Sequence, residues 1–159
     1  KAVNILLNEP QTIVVALPDL YPKNKGFAHE TADELIRGIN LNFSKALEKK
    51  GISEKGLLES RFKVFCFKYD LEALILASPV ALANRLGINR VKRVWKLPVE
   101  EQNNDCPPKR VVEDVFATYR KRYVDTVDAP AILSKVSYKE LASLCDQQFK
   151  PFVDFLEQL

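Results

Sequence analysis

Phe65-Cys66-Phe67-Lys68-Tyr69-Asp70-Leu71-Glu72-Ala73-Leu74-Ile75-Leu76 decides how this chain is read. The residues leading into it, Phe62, Val64, Phe65 and Phe67, are β-formers suited to a buried strand. Ala73 to Ala77 reads as helix, so the two acids lie between a strand end and a helix start. Open α/β sheets place ligands at that position. Two carboxylates kept ionised there need a cation or hydrogen-bond donors, because an uncompensated buried charge is costly. Mg²⁺, which prefers oxygen ligands, would meet that need. The competing structural reading has Asp70 capping the following helix and Glu72 pointing into solvent.

Working backwards, Thr12-Ile13-Val14-Val15-Ala16-Leu17 is a continuous β-rich run, as in a strand covered on both faces of a parallel sheet. It ends in Pro18-Asp19-Leu20-Tyr21-Pro22, so Asp19 is either a turn residue between prolines or a third acid at a strand end. Thr31-x-x-Glu34 has the form of a capping box. Leu35, Ile36, Ile39, Phe43, Ala46 and Leu47 follow at helical spacing, and Gly51 ends the run. The result is a β-α-β unit, whose crossover is almost always right-handed. Ala2 to Leu7 fits either a strand or the last turns of a helix. His29, alone in a loop, is expected to be solvated.

Downstream, Ser78-Pro79 is an N-cap followed by a first-turn proline, and Gly87 stops that short helix. Ile88 to Leu97 alternates basic and apolar residues, as an exposed extended segment with Arg90, Lys92, Arg93 and Lys96. Glu100 to Pro108 reads as a polar loop. A helix follows with the stripe Val111, Val112, Val115, Phe116, Tyr119 and Tyr123, and Arg120-Lys121-Arg122 would complement its dipole. Ser137-x-x-Glu140 opens another helix, and Phe149, Phe152, Val153, Leu156 and Leu159 mark a last one. The expected fold class is α/β: a small parallel sheet flanked by helices, in a single domain over residues 1–159, with a helical C-terminal part over 98–159.

Composition narrows the function. Twenty-four Lys and Arg against 21 Asp and Glu give a net charge of +3, which permits an anionic partner without requiring one. Three separated cysteines, one histidine and no C-x-x-C pair argue against zinc and for reduced thiols in a cytoplasm. No apolar run approaches the ~18 residues of a membrane span. The scattered glycines form no phosphate loop, and no nucleophile elbow surrounds a serine or cysteine. What remains is carboxylate chemistry. Asp19, Asp70 and Glu72 could hold Mg²⁺ or Mn²⁺, and Arg90, Lys92, Arg93, Lys109 and Arg110 could neutralise phosphates or simply be solvated.

Four motifs carry a resemblance. Val14-Val15-Ala16-Leu17-Pro18-Asp19-Leu20-Tyr21 resembles a strand followed by D-x-Y, and Tyr69 to Pro79 is similar to E-[FL]-E-A-[LW]-L-x-[SA]-[DS]-P. Pro108-Lys109-Arg110 is similar to P-S-K-R, and Cys145, Phe149 and Phe152 to a C-x-x-F ending. Together they resemble the bacterial family called domain of unknown function 4276. That resemblance implies a Toprim-like fold, shared with topoisomerase and primase domains and with metal-dependent nucleases of the overcoming-lysogenization type. It also implies a neighbouring ATPase and a setting in anti-phage defence.

Carried over, Asp19 matches the first aspartate of the Toprim D-x-D, with Tyr21 in place of the second. Asp70 and Glu72 match the acidic pair, Asp70 replacing a glutamate, and Lys109 and Arg110 would contact the nucleic-acid backbone. No E-G-x-T-E element precedes the Thr12–Leu17 strand. The chain begins at Lys1 and contains no methionine, so it reads either as a fragment lacking the fold's first strand or as a sequence written without selenomethionine. The expected activity is Mg²⁺- or Mn²⁺-dependent nucleic-acid phosphodiester cleavage. The alternative is a non-catalytic module that docks on an ATPase partner through Trp95, Phe149 and Phe155.

Overall fold

Val14–Ala16 (β1) pairs in parallel with Phe62–Val64 (β2), Val14 opposite Phe62 and Ala16 opposite Val64. A computed structural model describes residues 1–21, 23–92, 95–102 and 105–159. Among them these are the two strands, so the expected sheet is present as one parallel pair and the fold is mostly helical α/β. Both strands are shorter than their β-rich runs. Beyond Val64 the ladder continues with a bond from Phe65 N to the Ala16 carbonyl. The chain divides into two compact units, Lys1–Cys66 and Phe67–Leu159.

In the first unit the crossover between the strands is α2 (Ala32–Lys49), whose N-terminus carries the expected reciprocal box. Glu34 N donates to Thr31 Oγ1 and Thr31 N donates to Glu34 Oε2, satisfying donors that a helix start leaves open. Gly51 follows at φ 68°, a left-handed conformation that glycine adopts at low cost. Ala2–Asn8 is a helix (α1), which decides the ambiguity at the start of the chain. Lys55–Ser60 adds a short helix (α3) that no capping signal marks. Arg61, immediately before β2, ties the unit together. Its guanidinium donates to the carbonyls of Leu6, Glu9 and Pro10 at 2.8–2.9 Å and of Thr12 at 3.2 Å. The open carbonyls at the end of α1 and in the loop behind it thereby find donors. Val3, Leu6, Phe43, Leu47, Leu58 and Phe62 form the core, with the Phe43 and Phe62 rings stacked at 4.1 Å.

His29 corrects the expectation of a solvated side chain: it is buried, and its Nε2 accepts from Asn24 N at 2.9 Å. The loop that carries it lies on α2 where Gly38 leaves room for the Phe27 ring.

The second unit is helical: α4 (Glu72–Leu76), α5 (Pro79–Leu86), a 3₁₀ turn (Val99–Glu101), α6 (Pro108–Thr118), α7 (Asp125–Leu133), α8 (Tyr138–Leu144) and α9 (Phe149–Leu156). The apolar α4 packs against α5, α6 and α7, and Ile75, Leu76, Leu82, Val112, Ile132 and Cys145 centre the core. Pro79 at the first turn and Gly87 at φ 72° bound α5 as expected. Ser137 caps α8 by accepting from Lys139 N.

Four expectations change here. Ile88–Leu97 contains no strand among its described residues and buries Val91; Arg93 and Val94 lie outside the described residues. The polar loop holds the 3₁₀ turn and a buried Glu100. The helix with the valine stripe stops at Thr118, so Tyr123 belongs to the segment after it. Of the basic triplet, Lys121 does complement a helix end, but that of α5, by donating to the Leu86 carbonyl at 2.8 Å.

Candidate acidic site

The chain enters the acidic stretch through Tyr69 at φ 80°, a left-handed conformation that costs an aromatic residue on the order of 1–2 kcal/mol. Asp70 and Glu72 then diverge in role. Asp70 Oδ2 accepts from Lys109 N at 3.2 Å, in the first turn of α6. Asp70 thus caps a helix remote in sequence rather than the adjacent α4, and its charge lies at the positive end of the α6 dipole. The solvent-facing reading of Glu72 is overturned: the residue is 6% exposed, at the first turn of α4. Its Oε1 accepts from the Tyr123 hydroxyl at 3.0 Å. Burial, and then the Glu72 charge, raise the Tyr123 phenol above its ordinary range, so it keeps its proton and remains a donor.

Lys109 joins the same cluster. Its ammonium donates to Asp125 Oδ2 at 2.9 Å; that bond, followed by the nearby Glu72 charge, raises the Lys109 pKa. The same bond holds the Asp125 carboxyl below its usual range. Arg110, expected beside Lys109 as a phosphate contact, lies 3.2 Å from Asp114 and 3.9 Å from Glu113 along its own helix. Tyr123 and Asp125 complete the cluster and were not legible in the sequence. Tyr123 is 51 positions from Glu72, and no local pattern links them. Asp19 belongs to the first unit, where it is exposed and its charge helps raise the buried Cys66 thiol. Phe149, expected as a docking contact, is core, and Trp95 and Phe155 are half-buried.

Among the described residues, no group of three or more His, Cys, Asp or Glu side chains could hold a metal ion. The second unit offers Asp70 and Glu72, two hard oxygen donors. That set suits Mg²⁺ or Mn²⁺ rather than a softer metal, since Mg²⁺ commonly uses one or two carboxylates and completes its shell with water and substrate phosphates. No helix among the described residues is long and apolar enough to cross a membrane. No curated protein and no solved structure matches the chain. A family model described as a domain of unknown function (DUF4276) does match, over residues 1–157, and the chain belongs to that family.

Proposed function

We propose that this chain is a Mg²⁺- or Mn²⁺-dependent nucleic-acid phosphodiesterase of Toprim-like kind, acting in the cytoplasm beside an ATPase in anti-phage defence. The observation that carries the catalytic part is Glu72: a buried carboxylate, two residues from Asp70, held by the phenol of Tyr123. Burying a carboxylate against a neutral phenol costs free energy that a bound cation would offset. Asp70 and Glu72 are the proposed metal ligands. When bound, the metal would neutralise charge on the phosphoryl oxygens and acidify a water. Tyr123 would orient Glu72, and Lys109 would offset the negative charge of the carboxylates. The D-x-Y resemblance adds Asp19 as a further proposed donor; that assignment rests on sequence pattern alone.

Calorimetric titration of Mn²⁺ into the whole chain tests the reading, with Glu72→Gln as comparison. Binding by the wild type that the variant loses, followed by metal-dependent cleavage of DNA or RNA, supports it. Equal binding in both removes Glu72 from the site.

One observation favours the other reading, a docking module. The second unit has an open groove of about 1280 Å³, and Val80 and Leu97, both among its lining residues, are 73% and 74% exposed. Exposed apolar surface of this kind marks interaction sites. Complex formation with the neighbouring ATPase that Val80→Glu and Leu97→Glu abolish, without any Mn²⁺ binding, would support this reading.

A further inference from the structure

Two side chains of the segment between α6 and α7 bond back to its own unit. Lys121 turns inward to the Leu86 carbonyl, and Tyr123 turns inward to Glu72. Arg122 lies between these two residues in the chain. Arg120 and Arg122 are both exposed, and no ion pair engages either among the described residues. Lys109 and Arg110, by contrast, already face Asp125 and Asp114.

Arg120 carries a second signal. Arg120 N donates to the Ala117 carbonyl and Lys121 N to the Phe116 carbonyl, the pair of bonds of a Schellman helix end. Arg120 occupies the left-handed position of that motif at φ 56°, where glycine is the low-cost residue. Retaining a long cation there sacrifices stability, and such strain concentrates at functional positions.

We infer that Arg120 and Arg122 are the phosphate contacts of this chain, gripping the phosphodiester backbone of a nucleic acid beside the Glu72 site. The inference rests on the nucleic-acid reading above. Arg122 is one residue, about 3.8 Å of chain, from the tyrosine bonded to Glu72. Guanidinium forks match phosphate oxygens in pairs, which a lysine ammonium cannot do.

Fluorescence anisotropy with labelled DNA and RNA oligonucleotides of one sequence tests this on the whole chain, over a series of salt concentrations. Arg120→Gly/Arg122→Gln should weaken binding at least tenfold. It should also flatten the log-affinity against log-salt slope by about 1.4–1.8, the signature of two lost phosphate contacts. Lys139→Gln/Lys150→Gln, which removes two exposed cations already paired with Glu157 and Asp154, should change both much less. DNA and RNA arms with equal losses show that the shared phosphodiester backbone is read; a loss confined to one names that polymer. Because glycine suits the position, the first variant should keep its thermal midpoint or raise it, so lost affinity cannot be lost folding.

Wild-type binding with an unchanged slope in that variant overturns the inference and leaves the nucleic-acid reading standing. No wild-type binding to either polymer overturns both, whatever the Mn²⁺ titration shows. Equal, arginine-dependent affinity for polyglutamate would overturn it in favour of an acidic protein partner.

Discussion

The Tyr123 hydroxyl donates to the buried Glu72 carboxylate across 3.0 Å, joining the start of α4 to the segment that follows α6. Tyr123→Phe keeps the ring, including its edge contact with Phe116, and removes only the donor. The carboxylate then loses its hydrogen bond where water cannot replace it. We expect a loss of about 1–3 kcal/mol in denaturant unfolding. Glu72→Gln, whose amide oxygen still accepts from the phenol, should cost less. If the two variants were equally unstable, the hydroxyl bond would not be what holds Glu72 in place.

Glu100 gives a second buried carboxylate, with a structural role. Its oxygens accept from the backbone N–H groups of Gln147, Gln148 and Phe149 at 2.8–3.3 Å, at the start of α9. A remote side chain thus does for α9 what an N-cap residue does locally, and favours the helix dipole as well. Glu100→Ala should cost about 2–3 kcal/mol. Amide exchange should accelerate at residues 147–149 before it does so in α6; uniform acceleration across the second unit would mean that Glu100 is not a local cap.

What can be read from the sequence follows from the range of the forces involved. The Thr31–Glu34 box, the first-turn Pro79 and the Gly51 and Gly87 stops are local features, and each appears where its residues predict, whereas Ser78 makes no side-chain cap bond and donates to the Leu74 carbonyl instead. The β-rich runs overstate the strands because composition reports burial, whereas pairing needs a partner, and the paired strands run from Val14 to Ala16 against Phe62 to Val64. The sequence does not announce α7, because Pro130 interrupts it and its cap is inverted: Asp128, inside the helix, accepts from Val124 N and pairs with Arg85. At the acidic site the sequence singles out Asp70 and Glu72 but points to the wrong structural alternatives for them. Their partners, Lys109 N and Tyr123 Oη, arrive through tertiary folding.

Two glycines separate packing from propensity. Gly38 lies in α2, where alanine would ordinarily gain about 1 kcal/mol in helix propensity. A Cβ there would stand 2.1 Å from the Phe27 ring, so the ring must move. Gly38→Ala should therefore destabilise, by about 1–3 kcal/mol, as overpacking does. Gly56 lies in α3, and a Cβ at that position would meet nothing within 4 Å. Gly56→Ala should accordingly stabilise by about 0.5–1 kcal/mol. Opposite signs in parallel thermal melts are the expected result. Stabilisation by both would show that Phe27 does not rest on α2.

The cysteines extend the argument to pH. Burial first, then the charges of Asp19 for Cys66 and of Glu100 and Asp146 for Cys145, push both thiols up to about 12 from an ordinary 9.0. The thiolate is the nucleophile, so both should resist alkylation in the folded chain at about pH 8, leaving the half-buried Cys106 to react. Iodoacetamide should modify one residue rapidly in native buffer and all three in guanidinium. The same shifts fix a sign for stability. Between about pH 9 and 12 the unfolded chain releases these two protons while the folded chain retains them, so stability falls as pH rises. Below about pH 9 both states hold the protons, and the two thiols contribute no pH dependence. Cys66→Ala/Cys145→Ala should accordingly flatten the alkaline limb of the unfolding midpoint against pH. An alkaline limb as steep as that of the wild type would assign it to other groups.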